Sequence, residues 1–279
     1  MISALPPGSC TAHCHVFGPG ARFPYAPDAA FIPATDAPKE ALYALNDHLG
    51  LQRCVVVHST CHGSANRAAV GAVAARPAGY PAIALVRTDV GDAELRRLDT
   101  AGFRGVRFNF MGHLGRHADM EDVLALAGRF APLGWHLQIH GDPALLTNLA
   151  PALLRSPTPV VIDHIGRIDA ALGLDQPDFR ALLKLMADER FWVKVSGMDR
   201  ITRQGPPYAD AQPFARKLVA EFGDRVVWGN DWPHPNHAGP VPDERQLVDL
   251  IAGVAPTEAA RHALLVGNPQ RLYPFGDGL

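Results

Sequence analysis

Eight short runs rich in β-branched residues recur along the chain, and each is followed by a stretch with helical spacing. The predicted strands cover 9–17, 51–59, 80–86, 103–110, 135–141, 158–166, 191–198 and 224–232. Between them lie Ala- and Leu-rich helical patterns such as "KEALYALNDHLG", "MEDVLALAGRFAPLG" and "PDFRALLKLMADE". "DERQLVDLIAGV" follows the last strand, and two short helices, "TEAARHALLVG" and "NPQRLY", close the chain. Eight strand–helix pairs are the count of the α/β (β/α)8 barrel, the TIM barrel. A length of 279 residues with 47% hydrophobic content suits one such barrel or two smaller domains. No Pro/Gly/Ser linker divides the chain, and no GxGxxG follows a strand, which argues against two doubly wound halves. The expectation is one barrel over residues 1–279, with the Pro- and Phe-rich segment 18–38 as a long first loop over the barrel mouth.

Barrel chemistry collects where strands end at their C-terminal side. The first strand ends in His13 and His15, the second in Ser59, Thr60 and His62, the fourth carries Arg107 and Asn109, and the fifth ends in His140. The last three end in "DHIGR", "SGMDR" and "GNDWPHPN". Strand alternation places Thr11, His13 and His15 on one face, Val160, Ile162 and His164 on another, and Val227, Gly229 and Asp231 on a third. If those faces point inward, His13, His15, His140, His164 and Asp231 converge. Two imidazoles spaced by two, a third nitrogen from His140 and an oxygen from Asp231 make a plausible site for one divalent ion, with His164 behind it or on substrate. An HxH pair alone is weak evidence, and histidines such as His48, His136 and His262 read as surface or core. The joint pattern at one barrel end carries the argument. Arg107, Arg167 and Arg200 also lie at strand ends, where three guanidinium forks suggest recognition of carboxylates.

Other classes are disfavoured. A formal net charge of −2 advertises neither nucleic acid nor an acidic membrane surface. No apolar stretch approaches the roughly 20 residues of a membrane span, and the N-terminus lacks a secretory pattern. The four cysteines form neither a CxxC pair nor a disulfide framework, as in a reducing compartment. A cytoplasmic enzyme is expected, with monomer and homo-oligomer both open. GxSxG, HExxH and Walker motifs are absent.

The segments "AHCHVFGP", "CHGSANRAAV", "GVRFNF", "IDHIGR" and "VVWGNDWPHPN", with the closing "NPQRLY", together resemble the amidohydrolase superfamily, and within it the 2-pyrone-4,6-dicarboxylate lactonase group. The resemblance implies a lactone hydrolase on a small anionic substrate, met in the breakdown of aromatic compounds or sugar acids. It implies Asp231 as general base, His13, His15 and His164 on the lactone carbonyl, and Arg107, Arg167 and Arg200 on substrate carboxylates. Thr60 matches a small hydroxyl residue at the mouth. Two positions depart from the group's pattern: His140 stands for a tyrosine, and His113 for an arginine that contacts substrate. The group does without a metal, but His140 restores a ligand typical of metal-dependent amidohydrolases. Zinc or manganese held by His13, His15, His140 and Asp231 is therefore weighed against a metal-free reaction. A decarboxylase, a lactone isomerase and an inactive anion-binding protein are the alternatives.

Overall fold

The computed structural model describes residues 4–112, 118–237 and 239–276. Its eight parallel strands follow one another in chain order: β1 (Cys10–Cys14), β2 (Arg53–Val57), β3 (Ala82–Ala84), β4 (Phe103–Phe110), β5 (His136–Gly141), β6 (Val160–Ile162), β7 (Phe191–Lys194) and β8 (Val226–Val227). The ring closes through backbone bonds from Ala12 N to Trp228 O (2.7 Å), Asp231 N to His13 O (2.9 Å) and His15 N to Trp232 O (2.7 Å). The result is the expected (β/α)8 barrel.

Helices α1 (Lys39–Leu49), α2 (Arg67–Ala75), α3 (Asp92–Thr100), α4 (Met120–Phe130), α5 (Pro143–Leu153) and α6 (Pro177–Met186) follow the first six strands. Each lays an apolar stripe on the sheet; in α6 that stripe is Phe179, Leu182, Leu185 and Met186. After β7 come a single turn not foreseen from the sequence, α7 (Met198–Ile201), and then α8 (Gln212–Glu221). The helix expected after β8 is broken into α9 (Glu244–Asp249) and α10 (Ile251–Val254), and α11 (Glu258–His262) and α12 (Asn268–Leu272) follow.

Two apolar layers sandwich the strands. Val56, Val106, Leu137, Val160, Ile162 and Val193 pack outward against the helices. Inside, Cys10, Ala12, Val55, Ile83, Val161, Trp192 and Val227 meet Leu272, Tyr273 and Phe275, which plug the bottom of the barrel. No described helix is long and apolar enough to cross a membrane.

The strands are shorter than expected, and two of the predicted faces are corrected. In β1, Cys10 and Ala12 belong to the inner layer, while Thr11 Oγ1 bonds outward to Asn230 Oδ1 at 2.7 Å. The pairing with β2 then shifts register between Thr11 and Cys14. This bulge reverses the alternation, so that His13 and His15 face inward although Thr11 does not. In β6, Val160 and Ile162 face the helices, and the strand ends at Ile162. His164 nevertheless reaches the interior because His164, Ile165, Gly166 and Arg167 adopt left-handed backbone with φ of 51°, 54°, 62° and 56°. For β8 the expected parity holds, with Val227 inward.

Candidate active site

Above the apolar plug lies a buried polar layer. Arg107 on β4, Gln138 on β5, Asp163 after β6 and Lys194 on β7 all project into the barrel. Arg107 Nε donates to Asp163 Oδ2 at 2.8 Å, and Gln138 Nε2 donates to the same oxygen at 3.0 Å. The Lys194 ammonium donates to Ala12 O at 2.9 Å and Gln138 Oε1 at 2.8 Å, and stands 3.2 Å from His13 Nδ1. Burial alone would raise the Asp163 carboxyl, but Arg107, His13 and Lys194 together hold it well below the usual carboxylate range. Burial pulls Lys194 down to about 8, against the pull of Asp163.

One layer higher, His13, His15, His164 and Asp231 meet. Asp231 Oδ1 lies 3.3 Å from His15 Nε2, 3.6 Å from His13 Nε2 and 3.9 Å from His164 Nε2. Its other oxygen, Oδ2, accepts from Arg200 Nε at 3.0 Å and Nη2 at 2.7 Å. Burial would raise this carboxyl too; Arg200 first, then His164, outweigh it and hold Asp231 well below its ordinary value. His13 and His164 are both pushed down by burial, His164 to about 4. Burial thus favours the neutral imidazole at both positions.

Close backbone approach makes the cluster possible. A side chain at Gly229 would bring its Cβ to 2.7 Å from His13 N, and one at Gly197 to 2.8 Å from His164 Cβ. Only glycine lets the segment after β8 and the turn before α7 come this near. Behind the imidazoles, His15 Nδ1 is 2.7 Å from Val57 O, and His164 Nδ1 is 2.9 Å from Ser196 Oγ.

His140 stands beside the cluster. In-register pairing of β4 and β5 sets Asn109 next to it, and His140 Nδ1 lies 3.0 Å from Asn109 Oδ1. Its ring is 5.3 Å from that of His164, and its buried Nε2 has no hydrogen-bond partner among the described residues. Burial, then Arg107, drive its basicity well down.

His15, His164 and Asp231 line the floor of a cavity of about 450 Å³, with His13 buried behind them. Thr60, Arg107, Arg167 and Arg200 line its walls, and Phe31 from the 18–38 loop reaches its rim. An antiparallel bridge between Phe17 and Ala37 pins the ends of that loop. The three arginines are not equivalent. Arg107 and Arg200 each bond a carboxylate of the protein, whereas Arg167 has no hydrogen bond or ion pair among the described residues. His113 falls in 113–117, outside the described residues.

Potential ligand atoms of His13, His15 and Asp231 lie within 4.8 Å of one another, as do those of His13, Asp163 and His164. His140 belongs to neither group. The residues that sequence reasoning passed over are Asp163, Lys194, Gln138 and Ser196. A lysine inside the apolar run "FWVKVS" was the one visible signal, since an unpaired charge does not sit there.

The amidohydrolase family model matches residues 10–275. This chain belongs to the amidohydrolase family. It is 46% identical over 278 residues to the 2-pyrone-4,6-dicarboxylate hydrolase of Comamonas testosteroni, covering 96% of this chain and 91% of that one. It is 39% identical over 273 residues to the 4-sulfomuconolactone hydrolase of Rhizobium radiobacter, covering 97% and 91%. The solved structure of a probable 2-pyrone-4,6-dicarboxylic acid hydrolase from Acinetobacter baumannii with citric acid bound superposes with a TM-score of 0.86 at 26% identity, covering 96% of this chain and all of that one.

Proposed function

We propose that this amidohydrolase opens a small carboxylate-bearing lactone by attack of water. One observation carries the reading: a single carboxylate, tied through one oxygen to Arg200, presents its other oxygen to three imidazole nitrogens under a cavity that Arg167 overlooks. The two curated relatives, both lactone hydrolases by name, support the bond type.

The geometry divides the work. A carbonyl only accepts, so His15 spends its Nδ1–H on Val57 O and turns Nε2 to the cavity as an acceptor. That nitrogen and Asp231 Oδ1 are 3.3 Å apart. A water that donates one proton to Asp231 Oδ1, beside His15 Nε2, aims a lone pair at the lactone carbonyl. As the new C–O bond forms, charge grows on the carbonyl oxygen. Nε2–H groups of His13 and His164 meet that charge, with Ser196 Oγ–H donating to the rear nitrogen of His164. Asp231 takes the water's proton and hands it to the departing ring oxygen. The product is a ring-opened acid. A carboxylate held below its ordinary value is a weak base, so the substrate must supply a good leaving group. Enol lactones do so, because the ring oxygen departs as an enolate. Arg167 receives the substrate's carboxylate, and His140 Nε2 accepts from a substrate hydroxyl.

A zinc or manganese ion on His13, His15, His140 and Asp231 does not fit the donors as they are arranged. His15 and Asp231 offer free lone pairs, but His13 Nδ1 faces an ammonium, which favours a proton on its Nε2. His140 lies apart from the other donors. No step of the proposal runs through an ion.

The test is turnover of a panel of carboxylated enol lactones and sugar-acid lactones in ¹⁸O-water. One labelled oxygen in the new carboxylate and one equivalent of acid per turnover are expected. An unlabelled isomer would overturn hydrolysis in favour of lactone migration, carbon dioxide release would point to decarboxylation, and an inert panel would defeat the reading.

A further inference from the structure

The mechanism uses Nε2 of His13 and leaves open what decides where that ring carries its proton. We propose that Lys194 is a positioning residue that fixes the proton of His13 on Nε2, making His13 a hydrogen-bond donor to the reaction centre rather than a metal ligand. The proposal concerns the same site, and it rests on the lactone reading only for the use made of that N–H.

The argument is a count of donors and acceptors. Lys194 is fully buried, and its ammonium has three N–H bonds to place. Ala12 O at 2.9 Å and Gln138 Oε1 at 2.8 Å take two. The orientation of the Gln138 amide is fixed from its other end, because its Nε2 donates to Asp163 Oδ2. The third N–H has two possible acceptors: His13 Nδ1 at 3.2 Å or Asp163 Oδ1 at 3.6 Å. His13 Nδ1 in turn either accepts from Lys194 or donates to Asp163 Oδ1 at 3.4 Å.

The two arrangements exclude each other. A proton on His13 Nδ1 would point hydrogen against hydrogen at an ammonium 3.2 Å away. With Nδ1 as acceptor, Lys194 completes its third bond at the shorter of its two distances. Arg107 and Gln138 bond only Oδ2 of Asp163; its buried Oδ1 has no hydrogen-bond partner among the described residues and is the rival for the His13 proton, but it already faces the Lys194 ammonium at 3.6 Å. Around Lys194 one carboxylate, Asp163, faces two cations, Arg107 and Lys194 itself, so the group carries a net positive charge that disfavours a further proton on His13 Nδ1. Tyr273 offers only its ring face, 6.0 Å from the ammonium.

The consequence lies at the far side of the ring. A histidine that binds a metal presents a bare nitrogen and donates its other N–H to a carboxylate or carbonyl. Asp163 is the carboxylate that could take that N–H, and Lys194 denies it the proton. Removing the ammonium should release His13 to the other tautomer. Nε2 would then present a lone pair beside His15 Nε2 and Asp231 Oδ1.

The decisive measurement is the ring-nitrogen NMR spectrum of ¹⁵N-histidine-labelled protein at neutral pH, with the His13 signal identified by its loss in His13→Asn. Wild type should show the Nε2–H form. Lys194→Met should show Nδ1–H, and zinc chloride titrated alone should bind this variant about 10- to 100-fold more tightly than wild type. Lys194→Arg keeps a donor and should keep the wild-type tautomer. An Nδ1–H tautomer in wild type overturns the proposal, as does a Lys194→Met protein with unchanged tautomer and zinc affinity. If Lys194→Met does not fold, the wild-type spectrum still decides. The spectrum is read without substrate, so it stands or falls separately from lactone turnover.

Discussion

Two buried arginine–carboxylate pairs flank His13, one beneath it and one above. Arg107 meets Asp163 at 2.8 Å and Arg200 meets Asp231 at 2.7 Å, and both carboxyls are held well below the ordinary range. The pairs differ in what faces the second oxygen. For Asp163 it is the rear nitrogen of His13 and the Lys194 ammonium; for Asp231 it is the front nitrogens of three imidazoles and the cavity. The same pair of side chains therefore holds the barrel's ion layer together in one place and faces the substrate in the other. Depth within the barrel, not residue type, separates the two roles.

The sharpest way to break this comparison is to neutralise each carboxylate in turn. Asp231→Asn should cut kcat by about 10³- to 10⁴-fold, the scale of a lost general base, with a modest change in unfolding midpoint. Asp163→Asn should do the reverse. It strands Arg107 and Lys194 without an anion in the barrel interior, at a cost of roughly 3–5 kcal/mol of stability by denaturant unfolding. If the two variants exchanged these phenotypes, the division into a structural and a reacting pair would be wrong.

A smaller effect is expected from pH. Burial pushes His164 down to about 4, whereas the unfolded chain titrates it near 6.5. The unfolded state thus binds the extra proton first, and stability falls as pH drops from about 6.5 towards 4. The loss attributable to His164 is on the order of 3 kcal/mol at the bottom of that window. Unfolding midpoints across it should show the slope in wild type and a flatter one in His164→Gln; equal slopes would remove His164 as the cause. The smallest effect concerns Arg167, the cavity cation left outside both pairs. Arg167→Gln should raise KM by about 10- to 100-fold, the cost of one charge-assisted contact, and leave kcat nearly unchanged. A matching fall in kcat would instead put Arg167 in the transition state.

The barrel was legible because eight alternations of period leave few alternatives, and so was the gathering of histidines and Asp231 at one rim. The routes by which they arrive were not. His13 and His15 face inward because of a bulge that no alternation rule reports, and His164 does so because four residues in succession take positive φ. Three arginines looked equivalent in sequence, since nothing local reveals that Asp163 and Asp231 neutralise two of them. Lys194 and Gln138 escaped notice because their significance lies in partners 25 to 182 residues away, on β1, just after β6 and in each other.

The plug of Leu272, Tyr273 and Phe275 closes the lower end of the interior, and among the described residues the cavity opens at the rim beside Phe31. Fresh substrate, solvent and the ring-opened acid all pass the same rim, beneath Phe31. Each turnover must therefore clear the chamber before the next can begin, and the acid product, carrying one more negative charge than the lactone, departs past the same arginine that welcomed its precursor.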